Sequence, residues 1–357
     1  MESGRLIKAP MKHFFSSAQP DPMSVRDAQS LVQLVYPLVL KRIPDAQGLL
    51  DYSQKLTSGV LTPLGFMQEL MASDEWAQVE GAYDYLTDDS ISDFFNTEVM
   101  AFSAQLEACQ EVKLADYEAA WTAVFSADRS LIIGQKEYGR QHKQRFWELV
   151  NAMGLLLKHG SKSQVLEFGV SEFSGLYGKL FPQIQFNTSD RPTADDYVGF
   201  TEAVCKQRVG GAHWPLDLTD GPALNQFSQQ QKGRFHLILL TEVLEHLCIH
   251  PVDILRPLIQ VLSSQGLLYL TTPNFFALDK RQLMQRWHNP QEVYPAADGN
   301  WDAHHHHREY CLTELLPFIE QAGGCLKGFY YSNCWDQQAC DNPAERGNMV
   351  FVIGLAK

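Results

Sequence analysis

The second half of the chain alternates short apolar runs with helix-length segments, and this limits the available folds more than any other feature. The runs are QVLEFGV, IQFNTSD, HWPLDL, FHLILLTEV, GLLYLTTP, CLKGFYYS and NMVFVIGLA. Strand-sized runs spaced by helices predict an α/β domain with a doubly wound, mostly parallel sheet, whose ligand sits at the carboxyl ends of the strands. The last two runs have no helix between them, which predicts an antiparallel pair at the end of the sheet. A helix carrying Phe146, Leu149, Val150 and Met153 precedes the first run and stops at Lys158-His159-Gly160.

The first half reads differently. Leu31, Leu34, Val35, Leu38 and Val39 recur at helical spacing, with a break or kink expected near Pro37. Pro44, Asp45 and Gly48 mark a turn, Leu49, Leu50, Tyr52 and Leu56 a second helix ending at Gly59, and Thr62-Pro63 the cap of a third. At 357 residues the chain exceeds one ordinary core, so two domains are expected. The reading is a flexible arm over 1–26, a small all-α module over 27–78, an acidic helical connector over 79–135 and the sheet domain over 136–357.

The formal charge of −13 disfavours nucleic acid, because phosphate needs a basic groove. That excess is local: residues 51–128 hold fifteen acids against Lys55 and Lys113, a pattern that reads first as a solvated helical face. No apolar run reaches transmembrane length and the opening residues lack a signal-peptide pattern, so a cytoplasmic protein with no membrane partner is expected. Seven cysteines without CxxC spacing fit reduced thiols better than a disulfide framework or a zinc ribbon, with Cys334 and Cys340 as a pair that could bridge.

The chemistry lies at the strand ends. VLEFGVSEFSG gives a strand, a small-residue loop and a helix, yet Gly169, Ser171, Ser174 and Gly175 stand where a dinucleotide fold has three glycines, so a pyrophosphate cradle is poorly supported. Acids recur instead: Glu167, Asp190, Asp217 and Glu242 close four successive runs. A cofactor with an ammonium, a ribose diol and an adenine amine needs acceptors at such separated points, which suits S-adenosylmethionine (SAM). Asp217 reads equally well as a turn residue before Thr219-Asp220. In LLTEVLEHL a helix starting after the strand would put Glu242, Glu245 and His246 on one face, a donor set for Mg, Mn or Zn, with a fourth ligand from HHHHREY at 304–310.

At VLEFGVSEFSG, NTSDRP, LDLTD, FHLILLTEVLEHL and LIQVLSSQGLLYLTTPN the chain resembles class I SAM-dependent methyltransferases, over residues 140–357. The resemblance implies a Rossmann-like methyltransferase sheet and a cofactor held by Glu167, Gly169, Ser171, Asp190, Asp217 and Thr241. It would place Glu167 and Gly169 near the methionine moiety, Asp190 on the ribose and Asp217 on the adenine. The E-x-x-E-H pattern is similar to that of ubiquinone-pathway O-methyltransferases and small-RNA 3′-terminal 2′-O-methyltransferases. That likeness implies Glu242, Glu245, His246 and His306 as ligands of a divalent metal, with Glu309-Tyr310 as an acidic-aromatic pair. Without a metal, Glu245 and His246 would be the catalytic residues, His246 as base and Glu245 as a packing group. Residues 29–76 resemble a helical module of unknown function found in bacterial surface-layer, linker and glycan-related proteins, which implies docking to a protein partner.

The expected activity is O-methylation of a hydroxyl on a small metabolite or glycan. Two alternatives stand beside it: 2′-O-methylation of an RNA 3′ end, opposed by the acidic balance, and a non-catalytic interaction protein with a degenerate methyltransferase domain. Phe275, Phe276, Trp287, Tyr294 and Trp301 are candidates for a lid after TTPN, or for a cap packed on the sheet.

Overall fold

The computed structural model describes residues 23–40, 44–71, 73, 94–127, 133–157, 163–192, 210–291, 306–334 and 342–356. Most of the expected arm, the stop at Lys158-His159-Gly160, Tyr294, Trp301, His304, His305, Cys205 and Cys340 lie outside them. The chain divides into two compact units, Met1–Tyr85 and Leu86–Lys357.

The first unit holds three described helices. Helix α1 (Val25–Leu40) runs unbroken through Pro37, α2 (Ala46–Thr57) starts where Asp45 accepts from the Gly48 amide at 2.8 Å, and α3 (Pro63–Met71) starts where Thr62 accepts from Gly65 at 2.9 Å. These caps satisfy amides that the first turn leaves without partners. Ala28, Val32, Val35, Tyr36, Leu56, Phe66 and Leu70 form the core, with the Tyr52 and Phe66 rings 4.8 Å apart.

The second unit is built on a seven-stranded sheet of order β3-β2-β1-β4-β5-β7-β6. Its strands are β1 (Gln164–Phe168), β2 (Gln185–Asp190), β3 (His213–Pro215), β4 (Phe235–Thr241), β5 (Leu262–Pro273), β6 (Gly324–Ser332) and β7 (Asn348–Leu355). All pairs among β1 to β5 are parallel, while β7 is antiparallel to both β5 and β6. Side chains alternate between two cores. Val165, Leu237, Leu239, Tyr269, Val350 and Val352 face the helix before β1; Leu166, Ile238, Leu268, Leu270, Phe351 and Ile353 face the opposite layer.

Of the segment 79–135, the described residues 94–127 and 133–135 fall in this unit. Helix α4 (Thr97–Glu107) covers the edge strand β6, where Ser103 accepts from the Phe329 amide at 2.9 Å. A Cβ on Gly328 would meet Leu106 Cδ1 at 2.7 Å, so glycine lets the helix lie close. Covering an edge strand removes a row of unpaired groups that would otherwise recruit another chain. Helix α5 (Leu114–Ala127) packs on α6 (Ile133–Leu156) through Tyr117, Trp121 and Phe146. Among the described residues Glu98, Glu107 and Asp116 are exposed, while Leu106, Tyr117 and Trp121 on the same helices are buried in the sheet's core.

Among the described residues Cys109, Cys248, Cys311, Cys325 and Cys334 form no disulfide, and no helix is long and apolar enough to cross a membrane.

Candidate active site

The strand order places β1 beside β4, with the chain winding outward in opposite directions from that pair. This switch point opens a crevice at the carboxyl ends of the two strands, where an open α/β sheet binds its ligand. One wall is the loop after β1 and the other is the segment after β4.

Serines and an aromatic anchor do the work that glycines do in dinucleotide loops. Gly169 has a φ of +77°, and a Cβ there would strike Val243 Cγ2 at 2.5 Å. The Ser171 hydroxyl accepts from the Phe173 amide and the Ser171 amide donates to Ser174 Oγ at 3.1 Å, which closes a short turn. Ser174 Oγ in turn donates to Glu167 Oε2 at 2.5 Å. Phe173 is fully buried under this turn, flat against Trp121 and beside the backbone of Gly139. Helix α7 (Gly175–Leu180) follows at once.

Glu167 therefore lies beneath the loop, buried, with its carboxyl pushed up to about 8 by burial against the opposing Ser174 and Tyr177 hydroxyls. Asp190 closes β2, accepting from the Val170 amide at 3.1 Å and from Arg191 at 2.8 Å. Burial raises its carboxyl despite those two amides. It ties the end of β2 to the loop after β1. Asp217 folds back on Thr219, accepting from its amide at 2.8 Å and its hydroxyl at 2.7 Å, the turn role that the sequence also allowed. Thr241 ends β4 and borders a small cavity that mixes Arg145, Glu148 and Asn348 with apolar Leu149, Tyr269 and Val350.

The segment after β4 departs from the expected helix. Only Leu244–His246 forms a short turn, and Glu242 adopts a φ of +54°. Neighbouring β5 residues then separate the two carboxylates. Thr271 donates to Glu242 at 2.6 Å and Thr272 donates to Glu245 at 3.0 Å; consecutive strand residues face opposite sides of a sheet. Asn348 also donates to Glu242, at 2.9 Å. Glu242 thus belongs to the α6 face and is absent from the candidate metal cluster.

On the other face, Glu245, His246 and His306 bring one ligand atom each within 4.8 Å of one another. Glu245 is fully buried; its Oε1 has no hydrogen-bond partner and lies 3.9 Å from His246 Nε2. Burial first, and then the charge of Glu242, raise its carboxyl well above the ordinary value. The His246 and His306 rings meet edge to face at 4.8 Å. The segment bearing His306 is docked by the His307 amide, which donates to the Glu245 carbonyl at 2.8 Å. A bridge between Asn274 and Tyr310 anchors its far end. A buried carboxylate oxygen without a donor, facing two imidazoles, suits a divalent cation of the Zn or Mn type.

Other residues of the site escaped the sequence reading. Arg145 on α6 lies close enough to lower both Glu167 and Glu245 by its charge, although burial outweighs it at each. Lys280, on helix α10 (Leu278–Gln285, named after α8 at Gly221–Gln230 and α9 at Pro251–Gln260), pairs with Glu309. Thr272 and Asn348 reach the site across the sheet. Lys280 and Arg145 lie in solvent-like charged stretches and Asn348 starts an apolar run, so only the adjacent threonines of LTTP carried a usable signal. Of the candidate lid residues, Trp287 and Phe276 are exposed.

No family model matches the chain and no curated protein matches its sequence. Solved structures do. The trans-methyltransferase CalH, in complex with SAH, is 12% identical over 93% of this chain and 90% of its own, with a TM-score of 0.41. A 1,6-didemethyltoxoflavin-N1-methyltransferase from Burkholderia thailandensis is 16% identical over 69% and 92%, with a TM-score of 0.38. A SAM-dependent methyltransferase from Archaeoglobus fulgidus is 12% identical over 60% and 97%, with a TM-score of 0.39. The mixed seven-stranded sheet, doubly wound about β1 and β4 with β7 antiparallel between β5 and β6, is a Rossmann-like fold. That statement rests on the strand order and directions above; likeness at this level bears on no individual residue.

Proposed function

We propose that the chain is a SAM-dependent O-methyltransferase acting on a hydroxyl of a small metabolite or glycan, with a divalent metal held by Glu245, His246 and His306. The observation that carries this reading is the meeting of those three side chains beyond the carboxyl ends of β4 and β5, β4 being one of the two strands that border the switch point. The loop from Gly169 to Ser174, with Asp190 and Asp217, would hold SAM, which supplies a methyl group already activated by its sulfonium.

The protein's own part is alignment and removal of one proton. With the metal held there, Glu245 and the two imidazoles would orient the acceptor oxygen and the ion would ease loss of its proton; without a metal, His246, only partly buried, would take that proton. Lys280, Arg281 and Arg308 are each paired with a carboxylate, which supports a neutral acceptor over a polyanionic RNA end. The helical module is proposed to dock the enzyme on a carrier or assembly.

Calorimetry with SAH on the full chain tests the cofactor, with micromolar binding expected. A folded chain that binds none would sink the methyltransferase reading. Salt titration of binding to a short RNA separates the acceptors: steep salt-dependent affinity would favour the RNA alternative.

A further inference from the structure

Glu309 stands between two groups that the proposed chemistry does not explain. It is 7% exposed, and its two oxygens serve different partners: Oε1 lies 2.9 Å from His306 Nδ1, and Oε2 pairs with Lys280. The Lys280 ammonium on its second oxygen makes Glu309 the carboxylate of an ion pair. An ionised carboxylate only accepts hydrogen bonds, so the nitrogen facing it must donate.

We propose that Glu309 is the positioning residue of the histidine cluster. It fixes His306 as the Nδ1–H tautomer and so commits Nε2 to ligation beside Glu245 and His246. Lys280 completes the device by holding the second carboxylate oxygen, which ties the ring's orientation to helix α10 directly after β5. The sequence supplies the register: His306 and Glu309 are three residues apart in an extended segment whose ends are fixed at the Glu245 carbonyl and at Asn274. A carboxylate behind a ligating imidazole sets its tautomer and makes it a better donor. Glu309 does not itself reach the other two ligands, so it acts through His306. The ligation part rests on the metal reading above, while the tautomer part does not.

The test uses full-length protein with nitrogen-15 labelled histidine, the His306 signals being assigned by their loss in His306→Gln. Metal-free wild type should show His306 as Nδ1–H. Glu309→Ala should shift it toward Nε2–H and weaken zinc binding, measured by calorimetry with the metal alone, by about 10- to 100-fold. Glu309→Gln, whose amide oxygen still accepts, should restore most of the tautomer with a smaller loss of zinc affinity, which a general packing defect would not do. An Nε2–H tautomer in wild type, or an Nδ1–H population unchanged in Glu309→Ala, overturns the proposal. Wild type that binds no zinc yet keeps the Nδ1–H form overturns the metal reading and supports the positioning role.

Discussion

Trp121 lies flat on Phe173, with ring centroids 4.7 Å apart and planes 7° from parallel. The first residue comes from a segment that reads as an acidic connector, the second from the loop that flanks the candidate cofactor crevice. A helix outside the expected catalytic domain thus supports the floor of the site.

Replacing Trp121 with alanine should cost about 3–5 kcal/mol, the usual range for deleting a buried aromatic, and should also weaken SAH binding because Phe173 loses its support. Urea unfolding and calorimetry on the same preparation check both. Trp121→Phe should keep most of each. Unchanged SAH affinity in a folded Trp121→Ala variant would show that the loop stands without the stack.

Gly139 lies against the tip of the same ring, and a Cβ there would lie 2.3 Å from Phe173 Cζ. With Trp121 blocking retreat, Gly139→Ala should destabilise the chain by about 1–3 kcal/mol, the range for overpacking, although alanine is the better helix former. The measurement is the urea midpoint.

Glu167 gives a pH prediction with a definite sign. Its carboxyl is pushed up to about 8 in the folded chain, whereas an exposed glutamate titrates near about 4.3. Between those values the folded state holds a proton that the unfolded state has lost, so this group's contribution is full below the unfolded value and falls as pH rises through the window. Glu167→Gln should therefore flatten the decline in stability seen between about pH 5 and about pH 8. An equal decline in both proteins would place the proton elsewhere.

Glu242 and Glu245 should separate cleanly. Glu242→Ala leaves Thr271 and Asn348 without their acceptor and should cost about 1–3 kcal/mol while zinc binding stays within about two-fold. Glu245→Ala should abolish zinc binding. Loss of the metal in both variants would return Glu242 to the ligand set.

Ser103 tests the covered sheet edge. Ser103→Ala orphans the buried Phe329 amide, so that amide should exchange faster with deuterium and the unit should lose about 1–3 kcal/mol.

Periodicity and capping residues made much of this molecule legible in advance. Strand-sized apolar runs separated by helical spacing gave the order of elements, because burial on two faces demands them locally; the missing helix between the last two runs announced the antiparallel pair. Asp45 and Thr62 capped where they stand for the same local reason. What the sequence could not show was decided by residues far apart in it. Glu242 turns from Glu245 because a positive φ and the alternation of Thr271 and Thr272 send the two carboxylates to opposite faces of the sheet. The described part of the acidic segment joins the sheet unit because its apolar faces cover β6 and support Phe173. The first loop closes on serines and a clamped phenylalanine, an arrangement that no glycine count foretells. Local propensity set the elements of this protein, and packing between distant segments set its site.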